Sequence, residues 1–160
     1  MQETINLNIH KFASVEALSA SDQNLLKSAQ DATNLSYAPY SKFRVGAAAL
    51  LSNGEIVLGS NQENVSYGGT ICAERTLLGV VATLAPKEHI LTIAISYRNE
   101  NGSDNTPISP CGICRQSLLE HQNQHKCTLR IIMSGRTGEV WILDDAAKLL
   151  PLAFSENDLK

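Results

Sequence analysis

The sequence predicts an α/β fold, a three-layer α/β/α sandwich around a five-stranded mixed sheet, on three observations. Residues 45–60 read as an antiparallel hairpin: a small apolar run, the turn pair Asn53-Gly54, and a return strand. Helix-periodic stretches then alternate with short apolar runs, the rhythm that stacks helices on a sheet. Residues 90–97 are apolar almost without interruption, as in a central strand covered on both faces.

Taken in order, the chain begins with a loosely ordered lead over residues 1–18, in which Ile5, Leu7 and Ile9 stand among polar neighbours. Ser19 or Ser21 caps a helix through about residue 36, with Leu25, Leu26, Ala29, Ala32 and Leu35 as its apolar stripe. Pro39 ends any helical continuation, and a loop leads to the hairpin. A second helix over residues 72–84 stops before Pro86, and the central strand follows. Residues 98–106 form a polar, Asn-rich surface loop, and a third helix runs from the Cys111 region through about residue 121. Strands over 128–133 and 139–143 complete the sheet; Asp144 or Asp145 caps a short helix that stops at Pro151. All 160 residues are read as a single domain, long enough to bury a core.

Thirteen Lys and Arg against sixteen Asp and Glu give a net charge of −3 with no basic run, so nothing points to a nucleic-acid partner. A small, nearly uncharged substrate fits better. No apolar run has the length of a signal peptide core or a membrane span, which places the expected protein in the cytoplasm with no membrane partner.

The chemistry concentrates in Cys72-Ala73-Glu74-Arg75 and Pro110-Cys111-Gly112-Ile113-Cys114-Arg115. In both segments cysteine stands where a helix begins, and unpaired N–H groups at a helix start stabilise a thiolate. Cys-x-x-Cys brings two sulfurs to one face of a first turn, and Cys72 supplies a third from another element. The three are read as ligands of one Zn2+, leaving its fourth position open to water that loses a proton near neutral pH. Two residues along a helix turn about 200°, so Cys72 must sit at the very start, in non-helical backbone, for Glu74 to share its neighbourhood. Three thiolates over-compensate a divalent ion. Arg75 and Arg115 are the nearby cations, and Arg75 is the one expected to donate to a ligand sulfur. Cys127, the fourth cysteine, reads as a small buried residue. His121 and His125 have metal-binding spacing, but the reading favoured for them is an exposed helix end whose imidazoles meet the C-terminal dipole.

Cys-x-Glu with Pro-Cys-x-x-Cys downstream resembles the zinc-dependent deaminases, and within them the free-nucleoside cytidine deaminases of the three-cysteine type. The resemblance runs from Tyr37 to Leu159. It includes Tyr37-Ala38-Pro39-Tyr40-Ser41-Lys42-Phe43, Val45-Gly46-Ala47-Ala48, Asn61-Gln62-Glu63-Asn64, Ser66-Tyr67-Gly68 and Leu149-Leu150-Pro151. It implies a hydrolase of pyrimidine salvage, converting cytidine and deoxycytidine to uridine and deoxyuridine, with Glu74 taking the water proton and passing it to the pyrimidine N3. It also implies a homotetramer with one zinc per subunit and sites near subunit interfaces.

Phe43 is ordinary core packing if read alone; the resemblance makes it a wall of the pyrimidine pocket. Asn61 and Glu63, two apart in extended backbone, point the same way and match the family's ribose-binding pair, whereas read alone they are a polar loop satisfying its own backbone. Backbone N–H groups at the start of the second helix, at Ala73, stand ready for the base. Tyr67 matches a tyrosine near a subunit contact beside the active site and reads alone as half-buried packing. Phe154 lies in a tail that gives family members an aromatic for a neighbour's base pocket, and is equally a hydrophobic anchor for the tail.

Three other functions remain in play. A structural zinc module would close its site with Cys127 or a histidine. A polynucleotide deaminase would need a basic groove with exposed aromatics. An aminonucleoside-antibiotic deaminase would share the zinc core and differ only in substrate.

Overall fold

The computed structural model describes residues 1–159. Nine elements recur below: β1 His10–Phe12, α1 Ala20–Ala32, β2 Phe43–Leu51, β3 Ile56–Ser60, α2 Ala73–Leu84, β4 Ile90–Asn99, α3 Gly112–His125, β5 Arg130–Ser134 and β6 Val140–Leu143. The strands form one sheet in the order β1-β6-β5-β4-β2-β3, with β4 and β5 parallel and every other pair antiparallel.

The sheet therefore has six strands, one more than the sequence led us to expect. The additional strand is β1, inside the stretch read as a loose lead, where His10, Lys11 and Phe12 pair with Ile142, Trp141 and Val140. Three residues, two of them exposed and charged or titratable, leave no period-two pattern, and only the free edge of β6 makes them a strand. The lead is also tied down by apolar contacts, since Phe12, Val15 and Leu18 pack against α1 and its strands.

Alternation along the strands sorts the core into two layers. Ala48, Ala94, Ile132, Val140 and Ile142 face α1 through Leu25, Leu26 and Ala29. Ala47, Ala49, Ile93, Ile95, Ile131 and Met133 face the opposite way, onto Ala73, Leu77 and Val81 of α2 and Leu118 of α3. This is the expected three-layer sandwich. Two glycines set how closely the layers approach: a β-carbon at Gly46 would lie 2.1 Å from the Ala29 carbonyl oxygen of α1, and one at Gly59 would lie 2.4 Å from that of Ala73 in α2.

Several boundaries moved. Ser19 caps α1, its hydroxyl accepting from the Asp22 N–H at 3.2 Å; the helix ends at Ala32 and tightens into a 3-10 turn over Thr33–Leu35. The hairpin turn uses three residues, with Gly54 at φ +87 donating to the Leu51 carbonyl, a geometry glycine supplies without steric cost. Helix α3 continues a full turn past the expected end and stops where Lys126 adopts a left-handed φ of 50. That extra turn buries His121, whose Nε2 accepts the Ile90 N–H at 3.2 Å, so the exposed helix end expected there is corrected. Asp145 caps the last short helix, a 3-10 turn over Ala146–Leu149.

Topology decides where chemistry can occur. Because β3 and β4 are both antiparallel to β2, they run the same way, and the helices that follow them, α2 and α3, begin at the same end of the sheet. Phe43, the first residue of β2, pairs with Asn99 at that end too. Open α/β sheets place ligands beyond the carboxyl ends of their strands.

Candidate metal centre and substrate cleft

Cys72 and Cys111 are the N-cap residues of α2 and α3, in extended backbone with ψ 155 and 167 respectively. Only from this conformation at Cys72 can Glu74, two residues on, share its neighbourhood. Cys72 Sγ lies 3.6 Å from Cys111 Sγ, and Cys111 Sγ lies 3.4 Å from Cys114 Sγ, with all three sulfurs within 4.8 Å of one another. Among the described residues no further His, Cys, Asp or Glu joins this group. The set is soft, clustered and three-membered, which suits zinc with one position left for a substrate or water. Cys127 is elsewhere, so it does not close the site.

The thiols do not ionise alike. The Cys72 pKa is brought down to about 6 by hydrogen bonding from Cys114, against an opposing effect of burial, with further help from Cys111 and from the Arg75 charge. Cys114, hydrogen-bonded to the Cys72 sulfur and fully buried, is pushed up. We read Cys72 as the first thiolate; a divalent cation among the three sulfurs would favour all of them as thiolates. Arg75 is exposed and acts on Cys72 through its charge. Arg115 instead ties the site's frame together: its Nε donates to the Pro110 carbonyl at 2.9 Å and its Nη1 to the Leu149 carbonyl at 3.1 Å.

Glu74, one turn position inside α2, is 4% exposed. Burial raises its pKa and the Cys72 charge adds to the rise, while its own backbone N–H and the Cys114 thiol oppose it. A buried carboxyl whose pKa is raised, next to a ligand cluster but outside the ligand set, is suited to exchanging protons. Ala73 is wholly buried between these residues, its first-turn N–H among the donors that have no carbonyl partner within the helix.

The segment that leads to Cys72 is fastened to the rest of the site. Gln62 and Ile71 exchange backbone hydrogen bonds of 2.9 and 3.0 Å, and Tyr37 bonds to Asn61 and Glu63 on the other side. Asn61, expected to share a ligand with Glu63, is 8% exposed and bridges β2: its Oδ1 accepts from Val45 N–H at 2.8 Å and its Nδ2 donates to the Phe43 carbonyl at 2.9 Å. One amide hydrogen and one carbonyl lone pair are left for a ligand. Glu63 looks elsewhere. Its Oε2 accepts from Tyr40 N–H at 2.9 Å and Ser41 N–H at 3.3 Å, and its Oε1 accepts from the Ser41 hydroxyl. Burial would raise its pKa, but these three donors outweigh that and lower it.

Tyr40, Ser41, Glu63, Tyr67 and Thr70 surround a cleft of about 230 Å³. Tyr67 is 78% exposed and meets the Tyr40 ring edge-on with centroids 6.4 Å apart, so the half-buried packing considered for it is not what it does. Phe43 stacks on Tyr97 at 4.8 Å and 19°. Phe154 does not line the cleft; its carbonyl accepts from Gln116 of α3 at 2.9 Å and its side chain is 60% exposed. The pair Tyr40 and Ser41 that orients Glu63 was invisible as a site in the sequence. Its only signal was its place within the Tyr37 to Phe43 motif.

Residues 19–131 match the family model of the cytidine and deoxycytidylate deaminase zinc-binding region. The chain is 40% identical over 139 residues to a cytidine deaminase of Mycobacterium tuberculosis, covering 86% of this chain and 93% of that protein. It is 35% identical over 137 residues to one of Halalkalibacterium halodurans, covering 86% and 96%. The crystal structure of a cytidine deaminase from Burkholderia pseudomallei superposes with a TM-score of 0.70 at 36% identity, covering 86% of this chain and 100% of that one. The Mycobacterium tuberculosis cytidine deaminase structure gives 0.66 at 33% identity, covering 86% and 99%.

Proposed function

The chain belongs to the cytidine and deoxycytidylate deaminase family, and from that premise we propose that it hydrolytically deaminates cytidine and deoxycytidine to uridine and deoxyuridine, a step of pyrimidine salvage. The observation that carries the reading is the meeting of three thiols with one buried carboxyl at the starts of two helices. Cys72, Cys111 and Cys114 hold one zinc ion per chain. Zinc bound there supplies the acidification of a water molecule. Glu74 accepts the proton released and delivers it to the pyrimidine N3 as oxygen adds to C4; it then takes the remaining proton of the added hydroxyl and passes it to the amine, which leaves as ammonia while C4 becomes the carbonyl. The backbone N–H at Ala73 meets the base, and Phe43 walls the pyrimidine. Asn61 with its free amide hydrogen and Glu63 with its carboxylate contact the ribose, and Tyr67 borders the entrance. Arg75 tempers the negative charge of the thiolates.

The reading takes residues 1–160 as one deaminase-like domain, supported by two core layers that share a single sheet. It also takes the working enzyme as a cytoplasmic homotetramer without nucleic-acid or membrane partners. Among the described residues no helix is long and apolar enough to cross a membrane. An apolar outer groove on α2, bordered by Ile71, Val80 and Leu84, supports a subunit contact there.

Ultraviolet absorbance of zinc-loaded protein with cytidine, deoxycytidine and a short single-stranded oligonucleotide tests the reading. We expect loss of the cytidine and deoxycytidine signals and none of the oligonucleotide's. Glu74→Gln should keep its zinc and its fold while losing about 10²–10⁴-fold in kcat. Zinc-loaded protein silent on both nucleosides, or Glu74→Gln at full activity, would overturn it.

A further inference from the structure

Strand β4 continues past its apolar run, and the residues beyond it bind the loop that holds Glu63. Arg98 and Asn99 pair with Arg44 and Phe43. Just after them, the Glu100 N–H donates to the Lys42 carbonyl at 3.1 Å, and the Glu100 carboxylate takes the Arg44 Nε at 2.5 Å. Arg44 in turn donates through Nη1 to the Ser36 carbonyl at 2.6 Å. Asn101 is oriented by its own N–H on Asn99 Oδ1 at 3.0 Å, and its Nδ2 donates to the Ser41 carbonyl at 3.2 Å. Ser41 is thus held from both sides, by Asn101 at its carbonyl and by Glu63 at its N–H and hydroxyl.

The loop needs this support. Lys42 sits at φ +59, a left-handed conformation that a side chain with a β-carbon adopts at a cost, and such residues persist where their surroundings over-determine them. The Glu100 N–H on its carbonyl is one of those constraints. The Arg44–Glu100 pair has side-chain exposures of 28% and 32%, so water screens it less than a fully exposed pair.

We propose that Asn101 and Glu100 are positioning residues for the nucleoside's sugar: they fix Tyr40, Ser41 and Lys42 so that the Glu63 carboxylate is presented to the ribose hydroxyls. The inference rests on the reading of Glu63 as a ribose contact. Neither residue touches substrate. Both belong to the polar loop that carried no motif in the sequence, and they turn that loop into part of the specificity apparatus.

Steady-state kinetics with cytidine, and inhibition by 2′,3′-dideoxycytidine, which lacks the 2′ and 3′ hydroxyls, test it in Asn101→Ala, Glu100→Gln, Glu63→Gln and the Asn101→Ala/Glu63→Gln double variant, each checked for zinc content and melting temperature. Asn101→Ala should raise the cytidine KM about 5–10-fold, the loss expected of one well-made hydrogen bond, with kcat, zinc and the dideoxycytidine inhibition constant unchanged. Glu100→Gln should act in the same direction. Added to Glu63→Gln, Asn101→Ala should do nothing further. If Glu63→Gln raises the cytidine KM and Asn101→Ala leaves it at the wild-type value, the inference is wrong and the Glu63 reading stands. A Glu63→Gln variant that discriminates the two nucleosides as the wild type does would remove the Glu63 reading and the inference with it. A fall of kcat, zinc content or melting temperature in Asn101→Ala would make its role merely structural and likewise sink the proposal.

Discussion

His121 shows how one side chain ties stability to pH. Its Nε2 accepts the N–H of Ile90, the first residue of the central strand, which only the neutral ring can do. Burial lowers its pKa from 6.5 to about 4, helped by the nearby His125 and His89 rings, the former with its centroid 4.4 Å away. The folded form therefore excludes a proton that the unfolded chain binds below about 6.5, so the contribution is complete above that pH and is lost as pH falls toward 4. The shift corresponds to at most about 3–4 kcal/mol. Melting temperature measured from pH 7.5 to 4 should fall more steeply for the wild type than for His121→Gln, which has no proton to take up there; parallel curves would show that the ring is not the titrating group. Glu74, buried beside a thiol cluster, was evident from Cys-x-Glu. The function of His121 was not, because nothing in its spacing from His125 says that α3 runs a turn further and that β4 starts against it.

At the scale of elements, the site depends on how closely α2 lies on β3. A β-carbon on Gly59 would be 2.4 Å from the Ala73 carbonyl oxygen and 2.7 Å from the Leu77 backbone nitrogen, so helix backbone, and not a flexible side chain, would have to yield. Gly59→Ala should cost about 1–3 kcal/mol in stability and, because Ala73 stands between Cys72 and Glu74, should lower the zinc bound per chain as well. Calorimetry with metal analysis checks both; unchanged values would mean that α2 slides without disturbing its first turn. The same elements show what a sequence exposes. Helix α2 and strand β4 were legible from unbroken local patterns, an apolar stripe ending near Pro86 and an apolar run from Ile90. Strand β1 was not, since a three-residue edge strand is created by its partner β6 and carries no pattern of its own. The Asn61–Glu63 pair was half legible: the motif was seen, but extended backbone placed both side chains on one face, whereas tertiary contacts send Asn61 to β2 and Glu63 to Ser41.

At the scale of the whole molecule, the described chain leaves its aromatic tail turned outward. Phe154 is held by its backbone to Gln116 of α3, leaving the ring 60% exposed, and Leu152, at φ +57, is 95% exposed. Covering that ring with a neighbouring chain would remove apolar area from water, and the thiol cluster lies at the start of the same helix α3 that anchors the tail. If the ring completes a neighbour's base pocket in the proposed tetramer, a Phe154→Ala chain should form assemblies of the same mass as the wild type, four times the 17.3 kDa of one chain under that proposal, yet show a raised KM for cytidine. Mixing decides whose pocket it serves. Glu74→Gln chains keep Phe154 but cannot move the proton, and Phe154→Ala chains keep Glu74 but lack the ring. Hybrid assemblies of the two should therefore recover activity at low cytidine that neither parent has, because an intact Glu74 beside a Glu74→Gln neighbour then receives that neighbour's ring. A ring that serves only its own chain would give no recovery, since every site in the hybrid would still lack one of the two groups.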